Sequence, residues 1–443
     1  MRKLVCISLL FVAHFISAQK SSHLEGQLNI SLADESIEGV FTLSNLPVNT
    51  QTLSFKLNEH IKVKTIELNG DRIASSKVPQ NCEDCLIYTV IVGCEVVITP
   101  QSELRITTEG KIKKVDDPKE VKKYKGELVY SNGILRAGTR NKWYPEVMKR
   151  NSNAAEYLDP FNYTYAITAN CEDCQSIYIG KGEPKPSGSL FENTRVEGDM
   201  ILLAGNLNFQ KGKYANYINV DADKIPDLEE RFARTRGYLE NITQVDDPNS
   251  KIVYAQAESP IYGNEVVYNT VLNTTKNVNP NKIDITIEED EAYYFLANAF
   301  KPEDNLDKML LQSLAKYVKL KYIEESNPQQ YEKLTSYVQG QAVASTQNTR
   351  ESTNQPELQA LLITPEQFLD MEKEIGKDKM AVFIQDVFKN LRSGKRSMQV
   401  LVDSMSGIEN PSEYLEKIEQ DFITQFEMRA TAPQGEEVLS GLD

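Results

Sequence analysis

The first half of the chain alternates apolar and polar residues over short stretches, whereas the second half repeats apolar residues at helical spacing. Alternation with a period of two is typical of strands with one buried face. The dipeptides Asn69-Gly70 and Asn132-Gly133 favour tight turns between strands because both residue types tolerate positive φ. Strands at this density predict an all-β sandwich or saddle. The clearest predicted strands are 26–32, 39–43, 52–57, 62–68 and 214–220.

From about residue 221 the pattern changes to that of helices. Leu310, Leu314 and Tyr317 recur at steps of three and four residues, which predicts a helix with one buried face. The predicted helices are 227–239, 288–299, 306–325, 365–375, 379–391 and 413–427. The sequence therefore predicts an α+β multidomain protein, with an all-β domain at 19–220 and a second domain at 221–429 that is mainly helical after 288. The tail 430–443 is rich in Pro, Gly and Glu and is predicted to be disordered.

The first eighteen residues have the features of a cleaved secretory signal. Arg2 and Lys3 form a short basic head, the apolar run 4–16 is too short to span a bilayer, and the small residue Ala18 precedes Gln19. Cleavage near Ala18-Gln19 is expected, which predicts a mature chain in the periplasm or outside the cell. The alternative is an N-terminal membrane anchor, which the shortness of the run disfavours.

The net charge of the remaining chain limits the classes of partner that it can bind. The formal net charge is −15, and removing Arg2 and Lys3 makes the mature chain about −17. Such a surface repels nucleic acid and anionic lipid, so nucleic-acid binding is excluded on this ground. Nothing after the N-terminal run is apolar enough to span a membrane, so no integral span is predicted in the mature chain. The sequence leaves the oligomeric state open.

The pentapeptide Asn-Cys-Glu-Asp-Cys occurs twice and predicts two local disulfides, Cys82–Cys85 and Cys171–Cys174. An exported protein meets an oxidising compartment, which favours disulfides. Each pentapeptide lies next to β-like runs and is predicted to be a hairpin loop, in which a short bridge staples a tight turn. Cys94 is left over and is predicted to be a buried, unpaired thiol.

Two other interpretations of the cysteines stay open. Two Cys-x-x-Cys pairs can share one zinc ion as a four-thiolate site, although the wide separation and the lack of knuckle-type glycines weaken this interpretation. A thioredoxin-like redox pair needs a helix N-terminus without adjacent acids, because acids raise the pKa of a neighbouring thiol. Each pair here encloses Glu and Asp. Local disulfides are therefore the leading interpretation.

The segment from Glu289 to Tyr317 carries the most specific motif in the chain. It reads Glu-Asp-Glu-Ala-Tyr-Tyr-Phe-Leu-Ala-Asn from 289 to 298, then Pro302-Glu303, then Leu-Leu-Gln-Ser-Leu-Ala-Lys-Tyr from 310 to 317. This run resembles the HExxH-x-W-x-x-N … PE … L-x-E-G-x-A-x-Y run of aminopeptidase N-like zinc metallopeptidases. The resemblance implies a thermolysin-like, or gluzincin-like, second domain.

The zinc ligands of that family are missing in this register. Glu289, Tyr293 and Gln312 stand at the three ligand positions, and Asp290 stands in place of the general base. By a weaker alignment, Leu361 stands where the family's catalytic tyrosine falls. A phenol with a pKa near 10 and an uncharged amide are poor zinc ligands at neutral pH. The sequence therefore predicts no metal, no cofactor and no catalytic residues at this site.

Weaker matches extend the resemblance over most of the mature chain. The tripeptide 143–145, Trp-Tyr-Pro, is similar to the W-F-P motif in the family's N-terminal β domain. The run 252–254 and the Gly263-Asn264-Glu265 stretch stand where the family has its substrate-binding strand and its G-x-M-E-N loop. The resemblance implies a peptide-binding role for Gly263. It also implies that Glu258 or Glu265 takes the place of the glutamate that binds a substrate amino group.

The acidic run 288–291 also has a simpler interpretation. Carboxylates in the first turn of a helix interact favourably with its dipole, and Thr286 can cap that helix. A Ca²⁺ or Mg²⁺ site built from the same carboxylates is the alternative. Tyr293, Tyr294 and Phe295 are predicted to be core aromatics.

The sequence thus predicts an exported, catalytically inactive aminopeptidase-like protein. It is expected to bind a peptide or an envelope protein, in the groove between its two domains. One alternative is an active metallopeptidase with atypical ligands, such as Glu289 with other carboxylates. Another is a purely structural envelope component whose partners use its outer surface. No G-x-S-x-G elbow, phosphate-binding glycine loop or Cys–His pair offers a different chemistry.

Overall fold

The structure is a computed structural model with two compact units. The β unit comprises Met1–Leu207 with Glu258–Tyr262, and the helical unit comprises Asn208–Ala257 with Gly263–Asp443. The predicted α+β class is confirmed, because strands dominate the first unit and the described α-helices lie in the second. The domain limits 19–220 and 221–429 stay predictions. The structure describes residues 22–46, 48–78, 85–93, 96–124, 126–138, 141–150, 158–160, 163–197, 200–246, 251–257, 265–267, 270–273, 292–300, 305–329, 331–332, 363–395, 397–405, 408 and 411.

The β unit contains one large sheet and two smaller ones. Its strands are β1 His23–Ser31, β2 Ser36–Ser44, β3 Thr52–Asn58, β4 Ile61–Leu68, β5 Asp71–Arg72, β6 Ser75–Val78, β7 Cys85–Ile91, β8 Leu104–Lys111, β9 Lys113–Val115, β10 Val129–Ser131, β11 Ile134–Ala137, β12 Glu146–Arg150, β13 Leu158–Pro160, β14 Tyr163–Cys171, β15 Ser176–Ile179, β16 Ser189–Glu197 and β17 Leu202–Gly205. The large sheet has the order β16-β14-β1-β2-β8-β4-β5, and the smaller sheets have the orders β15-β17-β11-β10-β9 and β13-β12-β3-β7-β6. A short 3₁₀ helix, Pro118–Lys123, follows β9.

Alternation along β1 places one face of the strand in the core, as the sequence predicts. Leu24, Leu28 and Ile30 are buried, while the polar residues between them are exposed. Burying one such side chain stabilises the fold by about 2 kcal/mol. Gly26 lies on the same buried face, where an added Cβ would meet the side chains of Ile167 and Phe41. The close packing of β1 against its neighbours therefore depends on that glycine.

Trp143 anchors the segment between β11 and β12. Its side chain is buried, and its ring meets the Phe41 ring edge-on at a centroid distance of 6.5 Å. The Tyr144 ring lies 4.9 Å away, also edge-on. The indole Nε1–H donates to the Met200 carbonyl oxygen at 3.0 Å, so its one polar group is satisfied inside the core. The tripeptide that resembles the W-F-P motif is thus a core element of the β unit.

The two cysteine loops differ in topology, and the predicted hairpin is wrong for the second of them. Strand β14 pairs with β1 and β16, whereas β15 pairs with β17 in another sheet. The loop containing Cys174 therefore carries the chain from one sheet to another. The parallel pairing of β14 with β1 takes the position that a hairpin partner would have needed. Strands β6 and β7, by contrast, form an antiparallel pair around the first cysteine loop.

The helical unit begins with a mixed sheet of short strands. These are β18 Phe209–Lys211, β19 Ala215–Ile218, β20 Ile252–Gln256, β21 Glu265–Val267 and β22 Thr270–Asn273, in the order β18-β19-β20-β22-β21. Strands β19 and β20 are parallel, and helix α1, Ile225–Thr243, provides the crossover between them. Strand β21 runs antiparallel to β22 and forms one end of the described sheet.

The remaining helices form the second core. They are α2 292–300, α3 Asn305–Ser326, α4 Ile363–Ile375, α5 Lys377–Arg392 and α6 Ser397–Ser404. The sequence pattern predicted all of these except α6. Helix α5 shows the basis of that prediction, since its buried residues recur at three- and four-residue steps: Met380, Phe383, Ile384, Val387, Phe388 and Leu391. Among the described helices, none is long and apolar enough to cross a membrane.

A helix carboxylate holds the turn between β18 and β19. The Glu229 side chain, on α1, accepts hydrogen bonds from the backbone N–H groups of Lys213 at 2.8 Å and Ala215 at 3.2 Å. It also accepts from Tyr214 N at 3.1 Å and from the Tyr217 hydroxyl at 2.7 Å. Charge-assisted hydrogen bonds of this kind are stronger than neutral ones. Glu229 therefore joins the β18–β19 turn and the start of β19 to α1.

Several predictions concern residues that the structure does not describe. The signal at 1–18, the helix 413–427 and the tail 430–443 lie outside the described residues, as does Cys94. They stay predictions.

Candidate functional site

Tyr293, which the sequence motif aligns with the family's second histidine, lies in α2. Its neighbours Tyr294 and Phe295 are buried, and Tyr293 itself is half-buried against the apolar cluster that contains Phe295. This arrangement agrees with the predicted role of the three residues as core aromatics. Burial raises the pKa of the Tyr293 phenol above its ordinary value, since the ionised form loses its hydration there. The side chain is therefore a neutral phenol at physiological pH.

Gln312, which the sequence motif aligns with the family's glutamate ligand, lies in α3 and is half-buried. Its helix and α2 contribute to one hydrophobic core, so Tyr293 and Gln312 stand on helices that share a packed interior. The buried residues of that shared core include Ala292, Phe295, Leu296, Phe300, Leu310, Leu311, Leu314 and Ala315. Because the amide carries no charge, this helix face offers a cation little attraction.

The other predicted site residues are described in part or not at all. Glu289, Asp290 and Leu361 lie outside the described residues, and so do Glu258 and Gly263. The backbone of Glu265 is described, and it begins strand β21. The structure therefore places Tyr293, Gln312 and Glu265 in one compact unit, and the rest of the predicted site stays a prediction.

Strand β21 is the part of the predicted binding region that the structure describes. Its three residues pair with β22 on one side, with Glu265 opposite Leu272 and Val267 opposite Thr270. Among the described strands, β21 has no neighbour on its other side. An edge strand presents backbone N–H and C=O groups to which an extended peptide can add.

A chain of polar contacts, buried at Tyr317 and Glu372, runs between the helices, and no sequence pattern predicts it as a whole. The Tyr317 hydroxyl donates to Glu372 Oε2 at 3.0 Å, and Lys321 Nζ donates to Glu372 Oε1 at 2.7 Å. Lys321 also contacts Glu324, which accepts from Lys377 Nζ at 2.5 Å. The network therefore ties α3 to α4 and α5 through charged and polar side chains.

The network shifts the protonation of its members in defined directions. Burial raises the pKa of the Tyr317 phenol, and the adjacent Glu372 carboxylate raises it further. Burial alone would lower the pKa of Lys321, but its hydrogen bonds to Glu324 and Glu372 outweigh burial, so that pKa is raised. Burial opposes ionisation of Glu324, yet the hydrogen bonds from Lys321 and Lys377 lower its pKa overall. Tyr317 is thus neutral, and Lys321 and Glu324 are charged, at physiological pH.

The spacing in the sequence could have revealed only one contact of this network. Lys321 and Glu324 are three residues apart on a predicted helix, which is the spacing of a surface ion pair. Glu372, the member that joins Tyr317 to Lys321, is separated from Tyr317 by 55 residues and lies on another helix. Only the packing of α4 against α3 brings them together.

The predicted disulfide between Cys171 and Cys174 is present. Cys171 is buried at the end of β14, and Cys174 is half-buried. Cys85 is also disulfide-bonded, to a residue outside the described part of the chain. Cys171, Asp173 and Cys174 form a compact group of side chains of metal-ligating type, with their ligand atoms all within 4.8 Å of one another.

No protein-family model and no curated protein matches the sequence. The structure is informative, because the chain has the fold of M1 zinc metallopeptidases. One solved structure with this fold is an M1 zinc metallopeptidase variant from Deinococcus radiodurans, with 13% identity and a TM-score of 0.57, covering 91% of this chain and 94% of that one. Another is native leukotriene A4 hydrolase from Saccharomyces cerevisiae, with 13% identity and a TM-score of 0.56, covering 92% of this chain and 68% of that one.

These similarities concern the fold. They confirm, at that level, the resemblance that the motif between Glu289 and Tyr317 predicts. The chain is therefore aminopeptidase-like in its architecture.

Proposed function

We propose that this protein is an exported, catalytically inactive relative of aminopeptidases that binds a peptide or a protein segment without cleaving it. The observation that carries the proposal is the nature of the groups at Tyr293 and Gln312. Both stand, half-buried, on the two helices that correspond by motif to the zinc-ligand helices of the fold. Neither is a ligand suited to catalytic zinc.

The zinc expected from the fold does not fit these residues. A catalytic zinc site uses three protein ligands, drawn from His, Cys, Asp and Glu, with an open position for water. Burial keeps the Tyr293 phenol neutral by raising its pKa, and Gln312 offers only an uncharged amide. Glu289 is then the one charged group among the three ligand positions. We therefore derive no catalytic step through zinc in this chain.

Peptide binding is the activity that the retained architecture supports. An M1 zinc metallopeptidase variant from Deinococcus radiodurans is bound to a Tyr-Ser-Ala substrate, and two-domain M1 variants are bound to L-arginine and L-tryptophan. Strand β21 offers an edge at which an extended peptide can add by main-chain hydrogen bonds. On this proposal, Glu258 or Glu265 receives the amino terminus of that peptide.

Export is supported by the N-terminal sequence and the cysteines. The basic head and short apolar run of residues 1–18 have the pattern of a secretory signal. The Cys171–Cys174 disulfide suits an oxidising compartment. The proposed location is the cell envelope, with a peptide or an envelope protein as partner.

The first experiment measures metal content and peptidase activity together. The mature chain beginning at Gln19 is expected to carry no stoichiometric zinc and to hydrolyse neither aminoacyl amides nor peptides. Turnover that a chelator abolishes would overturn the proposal in favour of an active metallopeptidase with atypical ligands. In that case, replacing Glu289 and Asp290 with alanine is expected to remove the activity.

The second experiment restores the ligands. The variant Glu289→His/Asp290→Glu/Tyr293→His/Gln312→Glu is expected to bind one zinc ion per chain, because the motif aligns these four positions with the ligand and general-base positions of the family. The matched control changes only Gln312→Glu and is expected to stay free of zinc. A restored variant that folds but binds no zinc would show that the helices no longer carry the site.

The third experiment tests binding itself. A peptide library is screened against the mature chain, and each bound peptide is compared with its N-acetylated form. Loss of a charge-assisted hydrogen bond to a glutamate is expected to weaken binding by about tenfold or more. The variant Glu258→Ala/Glu265→Ala is expected to lose the preference for a free amino terminus. If no peptide binds, the structural envelope component becomes the better interpretation.

A further inference from the structure

The loop Cys171–Cys174 contains a carboxylate held against a sulfur atom. Asp173 Oδ1 lies 3.2 Å from Cys171 Sγ, and Asp173 Oδ2 accepts a hydrogen bond from Ala33 N at 2.6 Å. In the oxidised loop Cys171 carries no S–H proton, so the contact with Oδ1 is not a hydrogen bond. In the oxidised form, Asp173 Oδ1 therefore faces Cys171 Sγ without a hydrogen bond between the two atoms.

The surroundings hold this arrangement in place. Cys171 pairs with Ile30 in the large sheet, and its backbone N–H donates to Ser187 Oγ at 2.8 Å. The hydrogen bond from Ala33 adds a second anchor, from the turn that follows β1. Because sheet and turn fix the backbone and the carboxylate, little ordering remains to be done when a ligand binds.

We propose that, once its disulfide is reduced, this loop binds a thiophilic divalent cation such as Zn²⁺ through Cys171, Asp173 and Cys174. Two thiolates and a carboxylate are a suitable donor set for zinc, and a water molecule can complete a tetrahedral site. The three ligand atoms lie within 4.8 Å of one another in the oxidised loop, the two sulfur atoms through their covalent bond and Asp173 Oδ1 at 3.2 Å from Cys171 Sγ. Asp173 is exposed and Cys174 is half-buried, so an ion can enter from solvent while Cys171 closes the buried side.

The charges favour a cation over the reduced, metal-free loop. When the two thiols ionise on binding, their thiolates and Asp173 place three negative charges in a small space, and Glu172 adds a fourth in the same exposed turn. A divalent cation removes most of that repulsion. The oxidised loop has no thiolates, so it offers only the carboxylates and is not expected to hold a thiophilic ion.

The chemical step is balanced as follows. A dithiol reductant transfers two electrons and two protons to the Cys171–Cys174 bond, which becomes two thiols while the dithiol becomes a disulfide. Binding of the cation then displaces the two thiol protons, because metal-bound cysteine is a thiolate. The site thus alternates between a covalent staple and a metal site.

The test uses the full mature chain and cobalt as a spectroscopic substitute for zinc. The variant Cys82→Ser/Cys85→Ser removes the other Cys-x-x-Cys pair, and Cys94→Ser is added to remove the remaining thiol outside the loop. One sample of this protein is kept oxidised. A second sample is reduced with a dithiol, and the dithiol is then removed in the absence of oxygen. Both samples are titrated with Co²⁺. A thiolate-to-cobalt charge-transfer band with a one-to-one endpoint is expected only in the reduced sample. Trp143, the single tryptophan, reports by its fluorescence that the β unit remains folded.

The matched variants distinguish this site from its rivals. Asp173→Asn removes the carboxylate charge but keeps both cysteines, and it is expected to weaken Co²⁺ binding by about tenfold or more. Zn²⁺ is expected to displace Co²⁺ and abolish the band. Absence of the band in the reduced variant lacking Cys82 and Cys85 would overturn the proposal. The same result is expected if both cysteine pairs are needed to form one four-thiolate site. Equal affinity in the Asp173→Asn variant would overturn the assigned role of Asp173.

Discussion

The β unit and the helical unit satisfy their buried polar groups in different ways. In the β unit, Asn58 donates to the carbonyl oxygens of Gly126 at 2.8 Å and Asn141 at 2.7 Å, and it accepts from His60 N at 2.9 Å. These are bonds between neutral groups and the main chain. In the helical unit, the corresponding role belongs to the Tyr317–Glu372–Lys321 contacts, which depend on charge.

The difference follows from how each kind of element places its polar groups. A sheet unit has many turns whose carbonyl and amide groups reach inward, and a short amide side chain can bridge them. A helix uses its own backbone groups internally, so polar contacts between helices come mainly from side chains, as in the Tyr317–Glu372–Lys321 contacts. The β unit also has a buried ion pair, Lys142–Glu146 at 2.9 Å, but it joins residues four apart in one segment. We therefore expect the helical unit to be the more sensitive to charge and pH.

The largest expected effect is loss of packing in the β unit. Phe41→Ala removes a fully buried ring that contacts Trp143, and it is expected to lower the free energy of unfolding by about 3–5 kcal/mol. Urea unfolding followed by Trp143 fluorescence measures this loss. Leu190→Ala is the control, because Leu190 is 43% exposed and its truncation is expected to cost less than about 0.5 kcal/mol.

The same variant tests whether the comparison between units is justified. Far-UV circular dichroism is dominated by the helices, whereas the fluorescence comes from the β unit. If Phe41→Ala shifts both transitions by the same amount, the two units unfold together. Their stabilities then could not be compared separately.

The next effect concerns the charge network of the helical unit. Glu372→Gln removes the charge that pairs with Lys321 and is expected to destabilise this unit by about 2–4 kcal/mol, because it leaves a partly buried cation with one fewer partner. Far-UV circular dichroism during urea unfolding measures the change. The triple variant Tyr317→Phe/Lys321→Met/Glu372→Leu replaces the contacts by apolar packing. It is expected to recover most of that loss, since apolar side chains of similar volume often replace buried ion pairs without cost.

A triple variant as unstable as Glu372→Gln would contradict this account. The helical unit would then depend on the specific hydrogen bonds of the network rather than on avoiding an unpaired charge. Such a result would bring the two units closer together, since both would rely on defined polar geometry.

A smaller effect is expected at the sheet edge of the helical unit. Glu229→Gln keeps the shape of the side chain, but it removes the charge that strengthens four hydrogen bonds and turns one of the two acceptor oxygens into an N–H donor, at an expected cost of about 1–3 kcal/mol. The neighbouring Glu230→Gln is the control, because the Glu230 side chain is 70% exposed and pairs only with Arg234 among the described contacts. That change is expected to cost less than about 0.5 kcal/mol. Equal losses in the two variants would show that Glu229 is not an anchor.

Short-range sequence patterns predicted the strands and helices, but they did not predict contacts between residues far apart in the sequence. The alternation in β1 and the helical spacing in α3 and α5 were readable because each depends on residues a few positions apart. The register of Tyr293 and Gln312 was fixed by a motif of similar range. The crossover at Cys174 was not predictable, because two β-like runs around a short loop look the same whether or not they pair with each other. The partners of Glu229 and Glu372 were equally hidden, since other strands and helices supply them.

The smallest effect on the free energy of unfolding at neutral pH is expected from the tyrosines near the charge network. This effect increases at alkaline pH. Burial, aided by the charges of Glu325, Glu324 and Glu372, raises the pKa of Tyr238 above its ordinary value. A phenol whose folded-state pKa is raised contributes stability that is fully present below its unfolded pKa, near 10, and is lost as the pH rises above it. The raised pKa values of Tyr317 and Lys321 act in the same direction. The free energy of unfolding of the helical unit is therefore expected to fall above about pH 10.

The variant Tyr238→Phe removes one titrating group, and so the contribution of one proton, from the pH dependence of the free energy of unfolding. Removing the hydroxyl is expected to change the free energy of unfolding by less than about 0.5 kcal/mol at neutral pH. Above about pH 10 the loss with pH should become shallower by about 1.4 kcal/mol per pH unit, the contribution of one proton. Urea unfolding at a series of pH values, followed by far-UV circular dichroism, measures the slope. An unchanged slope would mean that the Tyr238 phenol ionises equally well in the folded and unfolded chain, and the helical unit would then owe its alkaline sensitivity to other groups with raised pKa values, such as Tyr317, Lys321 and Tyr293.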